Sequence, residues 1–368
     1  MSIADLINGK PPEGLEDLLT SLVLSAGRPF YKAGLSLHRA LYNKGIKKVN
    51  RLSTRVVCIG NLTWGGSGKT PVTILAARLL SEAGKKVVIL SRGYKRKSKG
   101  KDIVLVSDEQ RILSNPKEAG DEPFLMAVSL PGIPIVVGAD RFKTGSYAIR
   151  QFAPDIILLD DGFQHWGLAR DCDIVCIDSQ KPMDTLHLLP RGPLREPISG
   201  LSRAQAVIFT RTENALRLKE QEQIVRKFAP SIPILKLRYI LEGPVPISEI
   251  ETVDLTPGNL SRKHVLLFCG LANPESFFRL AEKKIPHVEK KIAFPDHVKY
   301  NADRLHDIKN EFVYYQCDVA ITTEKDAVKL KSAGLPRMPI YYFGLKTEFE
   351  EKDNLKQFLS LLLEAKKS

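Results

Sequence analysis

The sequence has no apolar run long enough to cross a bilayer, which takes about 20 consecutive apolar residues. Its best candidate, residues 18–26, is short and is interrupted by Thr20, Ser21 and Ser25. The N-terminus lacks a basic segment followed by an apolar one and a cleavage site, so no secretory signal is expected. Cysteine is sparse and odd in number: Cys58, Cys172, Cys176, Cys269 and Cys317. All five lie in or beside apolar runs without metal-type spacing, which reads as buried free thiols in a reducing cytosol. Cys172 and Cys176 are four apart, but the run around them is strand-like, which argues against a metal pair. Internal repeats and low-complexity tracts are absent. Acidic residues are missing altogether from Arg28 to Arg55, a stretch that holds eight Lys or Arg.

What is present fits a soluble globular chain. Its 368 residues suffice for two domains, and 43% hydrophobic with 26% charged residues supports a sizeable core. The net charge of +13 favours an anionic partner: nucleic acid, nucleotide, phospholipid surface or phosphorylated substrate. Nucleic acid is the weakest of these, because the basic runs offer no stacking motif beyond Tyr94 and no known module.

The strongest local signal is Gly65-Gly66-Ser67-Gly68-Lys69-Thr70. The apolar run 56–59 leads in and a helix-like run from Pro71 leads out, the strand–loop–helix context of a phosphate-binding loop. Glycines let backbone N–H groups close around an anion, and the helix N-terminus adds its dipole. In that reading Lys69 reaches the β/γ-phosphates of ATP and the Thr70 hydroxyl binds Mg²⁺. Thr63 stands where the general pattern has its first Gly. An ordinary Gly-rich turn is the bland alternative, and it leaves the Lys-Thr pair and both flanks unexplained.

A second signal is the apolar run 156–159 ending in Asp160-Asp161-Gly162-Phe163-Gln164-His165. A strand that delivers an Asp to the catalytic edge is the usual partner of a phosphate loop and holds Mg²⁺ directly or through water. Asp121, in Gly120-Asp121-Glu122-Pro123, reads as a helix N-cap or as a general base, and on pattern alone the cap reading wins. Arg141 is placed either to neutralise a transferring phosphate or simply on the surface. Ser91-Arg92-Gly93-Tyr94 and the basic run after it, Leu189 to Pro197, and Phe294-Pro295-Asp296-His297 are further polar loops at strand ends.

From Arg55 onward strand-like and helix-like segments alternate. That pattern predicts an α/β fold, a P-loop NTPase-like parallel sheet with helices on both faces, plus a smaller C-terminal α/β domain. The expected organisation is a basic amphipathic helical segment over 1–50, a kinase domain over 51–242, the smaller domain over 243–345 and a C-terminal helix over 346–368. The stretch Gly243-Pro244-Val245-Pro246 marks the expected boundary. The first segment suits either an anionic membrane surface or packing on the catalytic domain.

Taken in order, these motifs resemble those of the tetraacyldisaccharide 4'-kinases, lipid A pathway kinases of Gram-negative bacteria. The residues carrying the resemblance are Gly60-Asn61-Leu62-Thr63 with the phosphate loop, Ser91 to Tyr94, Gly120 to Pro123, Asp160 to His165, Arg191 to Pro197, Phe294 to His297 and Thr323-Glu324-Lys325-Asp326-Ala327. The match runs from about Phe30 to Leu330, and that family carries Thr63 at the same place. The resemblance implies phosphorylation of the 4'-hydroxyl of a tetraacyldisaccharide 1-phosphate by ATP with Mg²⁺, giving lipid IVA, by a peripheral enzyme on the cytoplasmic face of the inner membrane. It implies Asp121 as base with His297 as its partner, the two brought together by domain closure. It implies Asp160, Asp161 and Glu196 around Mg²⁺, and Arg141 near the transferring phosphate. It places Tyr94, Gln164, His165 and Arg195 in the active site without a firm role. Neither nucleic acid nor an obligate protein partner is expected. A positioning-type membrane ATPase is disfavoured because it carries a second Lys before the paired glycines, where this chain has Trp64. A phosphate-loop kinase of soluble metabolites would not need the N-terminal helix.

Overall fold

The computed structural model describes residues 3–7, 13–93, 102–215, 217–247, 253, 255–296, 298–333, 335 and 337–364. The chain divides into two compact units, one of residues 1–238 and 349–368, the other of residues 239–348.

The first unit opens with α1 (Ile3–Ile7) and the long helix α2 (Leu15–Asn43). It continues β1 (Arg55–Asn61), α3 (Lys69–Glu82), β2 (Val87–Ser91), β3 (Ile103–Ser107), α4 (Pro116–Ala119), α5 (Asp121–Ser129), β4 (Ile135–Gly138) and α6 (Arg141–Phe152). Then come β5 (Ile156–Asp160), β6 (Cys172–Asp178), β7 (Ala206–Thr210), α7 (Leu218–Phe228) and the start of β8 (Ile234–Pro246). The strand order in this unit is β8-β7-β6-β1-β5-β2-β4-β3. Every pairing is parallel except that of β3 with β4, so the expected parallel sheet ends in one antiparallel edge strand. β1 sits between β5 and β6, which arrive from opposite directions of winding; this is the switch point at which α/β sheets bind ligands.

The apolar runs explain the burial. Val56, Cys58, Val88, Leu90, Ile157 and Leu159 share a core cluster with Ala148 of α6. The alternate residues Val57, Ile59, Ile89 and Leu158 are just as buried, beneath α3 on the other face. All five cysteines are buried free thiols, as the sequence suggests.

The second unit holds the rest of β8, then α8 (Pro257–Leu260), β9 (Val265–Cys269), α9 (Pro274–Glu282), β10 (Val288–Ala293), α10 (Ala302–Tyr314), β11 (Val319–Thr323), α11 (Glu324–Ala333) and most of β12 (Ile340–Phe349). Its strands run β10-β9-β11-β12, all parallel. Gly243–Pro246, read from sequence as a boundary, lies inside β8. At the head of α11 the Thr323 hydroxyl accepts from Asp326 N at 3.2 Å, as an N-cap does, and donates to its carboxylate at 2.7 Å. Asp326 also accepts from Gly270 N at 2.9 Å, so this segment ties the ends of β9 and β11 together. The chain closes with α12 (Lys352–Leu363) back in the first unit, where Arg55 donates to the carbonyls of Leu361 and Leu362.

Candidate active site

The phosphate loop follows β1 directly. Gly65 and Gly68 have φ of 101° and 79°, left-handed conformations that a side chain would strain. Gly68 is the residue before α3, so Lys69 and Thr70 form its first turn, with the helix N-terminus aimed into the loop. Neighbouring side chains hold the loop open. Asn61 donates to Thr63 O and to Ser67 Oγ, both at 2.7 Å. Thr210 donates to Ser67 O at 3.0 Å, and Arg211 to Gly66 O at 2.8 Å. Thr63 forms a β-bridge with Leu194, and Arg195 N donates to Leu62 O at 2.8 Å. A β-branched residue suits the extended backbone of such a bridge.

β5 runs beside β1 with Asp160 in register with Ile59, which brings the acidic pair to the loop. Asp160 is buried; it accepts from Ser91 Oγ at 3.0 Å, with Thr73 Oγ1 at 3.5 Å. Burial, then the negative charges of Glu122 and Asp161, push its carboxyl up to about 7. Asp161 takes a positive φ of 54°. It lies 3.7 Å from Lys69 Nζ and accepts from Arg195 Nη1 at 2.8 and 3.0 Å. Burial opposes ionisation there, but the two cations prevail and hold the carboxyl below its usual range.

Arg195 also approaches Gln164 Oε1 at 3.4 Å. Gln164 Nε2 donates to Asn61 O at 2.7 Å and to Glu196 Oε1 at 2.8 Å. Lys69, Asp161, Arg195, Gln164 and Glu196 therefore form one connected polar network at the carboxyl edge of β1 and β5. His165 lies beside it; burial, then the nearby Arg141 and Arg170, push its imidazole down to about 4, so it is neutral at physiological pH.

Arg141 is buried, and its Nη1 donates to the carbonyls of Gly138 and Ala139 at 3.2 and 2.8 Å. Burial, then Arg92, lowers its guanidinium to about 10; it stays cationic and feels both Asp160 and Asp161. Its Nε is buried without a hydrogen-bond partner among the described residues, leaving one donor available to an anion. Asp121 is the first residue of α5, and the cap position belongs to Gly120, which has no side chain to cap with. Contrast Asp140, whose carboxylate accepts from Phe142 N and Lys143 N, both at 3.0 Å, as a true N-cap. Tyr94 and His297 fall outside the described residues.

The predicted metal residues Thr70, Asp160, Asp161 and Glu196 are all oxygen donors, which suits a hard cation. They are not gathered into a cage: among the described residues no three His, Cys, Asp or Glu side chains converge on one point. Mg²⁺ in phosphoryl transfer is held by one or two carboxylates together with phosphate oxygens, so this donor set fits it without a cage.

Sequence reasoning passed over Thr210 and Arg211. Arg211 adopts φ 59° and pairs with the buried Asp178 at 2.8 Å while holding the Gly66 carbonyl. Arg211→Ala is expected to cost about 3 kcal/mol, since it strands a buried carboxylate. That corresponds to a fall in Tm of roughly 5–10 °C for a unit of this size, with a raised KM for ATP. A thermal melt and steady-state kinetics check both; an unchanged melt removes Arg211 from the loop's support.

The family model for tetraacyldisaccharide-1-P 4'-kinases matches residues 20–364. A tetraacyldisaccharide 4'-kinase of Halothermothrix orenii is 35% identical over 373 residues, covering 95% of this chain and 94% of that protein. One of Pelobacter propionicus is 38% identical over 294 residues, covering 80% and 79%. The crystal structure of LpxK from Aquifex aeolicus in complex with ATP superposes with a TM-score of 0.71 at 32% identity, covering 93% of this chain and 99% of that one. With matches of this extent, the chain belongs to the tetraacyldisaccharide 4'-kinase family.

Proposed function

We propose that this chain transfers the γ-phosphoryl group of ATP to the 4'-hydroxyl of tetraacyldisaccharide 1-phosphate, giving lipid IVA in lipid A biosynthesis, as a peripheral enzyme on the cytoplasmic face of the inner membrane. The observation that carries the reading is the network joining Lys69 to Asp161, Arg195, Gln164 and Glu196 at the mouth of the phosphate loop. The loop amides and the α3 N-terminus bind the phosphates, and Lys69 stabilises charge that grows on them in the transition state. Arg141 offers its free Nε to the transferring group. Asp121 takes the proton from the sugar hydroxyl. Thr70, Asp160, Asp161 and Glu196 would hold Mg²⁺, which would supply positive charge to offset that of the phosphates. Incubation with ATP, Mg²⁺ and the detergent-dispersed disaccharide 1-phosphate should yield a bis-phosphorylated product; a folded protein that gives none overturns the reading.

The helix α2 supports the membrane part. It is anchored on the catalytic unit: the Tyr31 hydroxyl donates to Arg195 O at 2.7 Å, and Arg39 lies 5.5 Å from the centre of the Trp166 ring. A side chain at Gly27 would come within 3.0 Å of Pro190 Cγ, so the contact is close. Leu15, Leu19, Leu22, Val23, Phe30 and Leu37 are exposed, and their spacing places them on one helical face. Among the described residues no helix is long and apolar enough to cross a membrane, so this face suits the acyl boundary of a lipid surface that supplies the substrate. Deleting residues 1–45 is expected to weaken flotation with anionic liposomes, and salt to weaken the binding of the intact chain. Equal flotation of both proteins would show that α2 is not the anchor.

A further inference from the structure

Glu196 is almost fully buried, just ahead of the 3₁₀ turn Ile198–Arg203. One oxygen accepts from Gln164 at 2.8 Å. The other lies 2.8 Å from Arg203 Nη2. Arg203 closes the 3₁₀ turn Ile198–Arg203, which folds the chain back over Glu196. Its guanidinium is sandwiched between two rings, 4.4 Å from the centre of Phe163 and 4.3 Å from that of Trp166. Phe163 itself is fully buried, and a side chain on Gly60 would come within 2.6 Å of its Cβ, so it packs closely on β1. A side chain at Gly200 would come within 2.5 Å of Glu196 Oε2 and 3.2 Å of Arg203 Nη1, so the contact is enclosed on that side too.

The clamp limits how Arg203 meets the carboxylate. A free guanidinium forks onto both oxygens of an acid and occupies them. Here the guanidinium lies over the two rings and its Nη2 meets Oε2 at 2.8 Å, while Oε1 takes its hydrogen bond from Gln164. Glu196 is thereby kept paired and oriented while Oε1 stays in the network that runs through Gln164 and Arg195 to Asp161 and Lys69.

We propose that Arg203, held between Phe163 and Trp166, is a positioning residue that aims Glu196 at the divalent cation of the phosphoryl transfer. The proposal rests on the reading of Glu196 as one of the metal-holding residues. A purely structural Arg would fill space and neutralise a buried acid; a positioning Arg also sets the affinity for the cation. Residues that orient a metal's ligands typically change its affinity by about 10- to 100-fold when replaced.

The test uses the full chain saturated with a non-hydrolysable ATP analogue, free nucleotide removed, and Mn²⁺ titrated by electron paramagnetic resonance. Arg203→Met, which keeps a long side chain between the rings, is expected to weaken Mn²⁺ binding by about tenfold or more. Analogue binding in EDTA should change by less than about twofold, since the loop that holds the phosphates is untouched. Arg203→Lys keeps the charge without the stacked plane and is expected to recover only part of the affinity. It also decides the matter if the Met variant does not fold. Unchanged Mn²⁺ affinity in a folded Met variant, or full affinity in the Lys variant, overturns the proposal. Glu196→Gln separates the two layers. If it leaves Mn²⁺ affinity intact, the metal reading of Glu196 fails and takes the proposal with it. If it weakens Mn²⁺ while the Arg203 variants do not, only the role of Arg203 fails.

Discussion

Lys69→Ala is expected to lower kcat by about 10³-fold or more while the protein stays folded. Preorganised charge aimed at a developing anion is worth most where water is excluded, and removing even one such donor commonly costs about 10²- to 10³-fold. Lys69 is a buried cation on the first turn of α3, and its ion-pair partner is Asp161 at 3.7 Å. The truncation does not strand that carboxylate, because Arg195 still donates to both its oxygens at 2.8 and 3.0 Å. Stability should therefore move little, unlike the Arg211→Ala case, where Asp178 loses a close partner in a buried pair. Turnover by a melt-competent Lys69→Ala variant at the parent rate would remove the phosphate-loop reading. A variant that is inactive because it is unfolded would show the same loss with a collapsed melt, and the two are told apart by circular dichroism.

Much of this site was legible in the sequence because its parts are local. A strand of four buried apolar residues ending in Asp160 announces itself, as does a Gly-rich loop between a strand and a helix. The elements of the first unit begin and end close to where hydrophobic runs and Gly or Pro punctuation place them. β8 is hard to read from sequence because its inward residues Leu235, Leu237, Tyr239 and Leu241 alternate with Lys236, Arg238 and Glu242, and its end is proline-rich. A half-buried strand of that kind looks like a polar connection when read without its partner.

Arg203 and Arg211 were illegible for a different reason. Nothing in Leu201-Ser202-Arg203 signals a guanidinium stacked between Phe163 and Trp166, which are about 40 residues upstream. Nor does Thr210-Arg211 signal a left-handed backbone that turns Arg211 onto Gly66. These roles exist only once β1, β5, β6 and β7 lie side by side. Arg195 sits between the two cases. Its motif was readable, but its grip on Asp161 depends on the pairing of Thr63 with Leu194 across two loops.

Asp121→Asn is expected to lower kcat by about 10²- to 10⁴-fold with a much smaller change in the KM for ATP. The amide keeps the shape of the carboxylate but cannot take the proton of the sugar hydroxyl as it attacks. In the proposed site nucleotide affinity would come mainly from the phosphate loop, which the substitution does not touch. The negative charge of Glu122, next to Asp121, helps to raise the Asp160 carboxyl. In the proposed reaction the acceptor hydroxyl would meet the γ-phosphate beside Asp121. The competing account makes Asp121 a helix cap worth about 1 kcal/mol and nothing more. The fold weakens it, since Gly120 holds the cap position and Asp121 is the first helical residue. Asp121→Ser discriminates directly, because serine starts a helix as well as aspartate does but has no carboxylate. Kinetics on the serine variant should show the same collapse of kcat as the asparagine variant, with the melt preserved. A serine variant that turns over at the parent rate would leave the sugar hydroxyl's proton without an acceptor at Asp121, and the base would have to be sought on another residue facing Asp160.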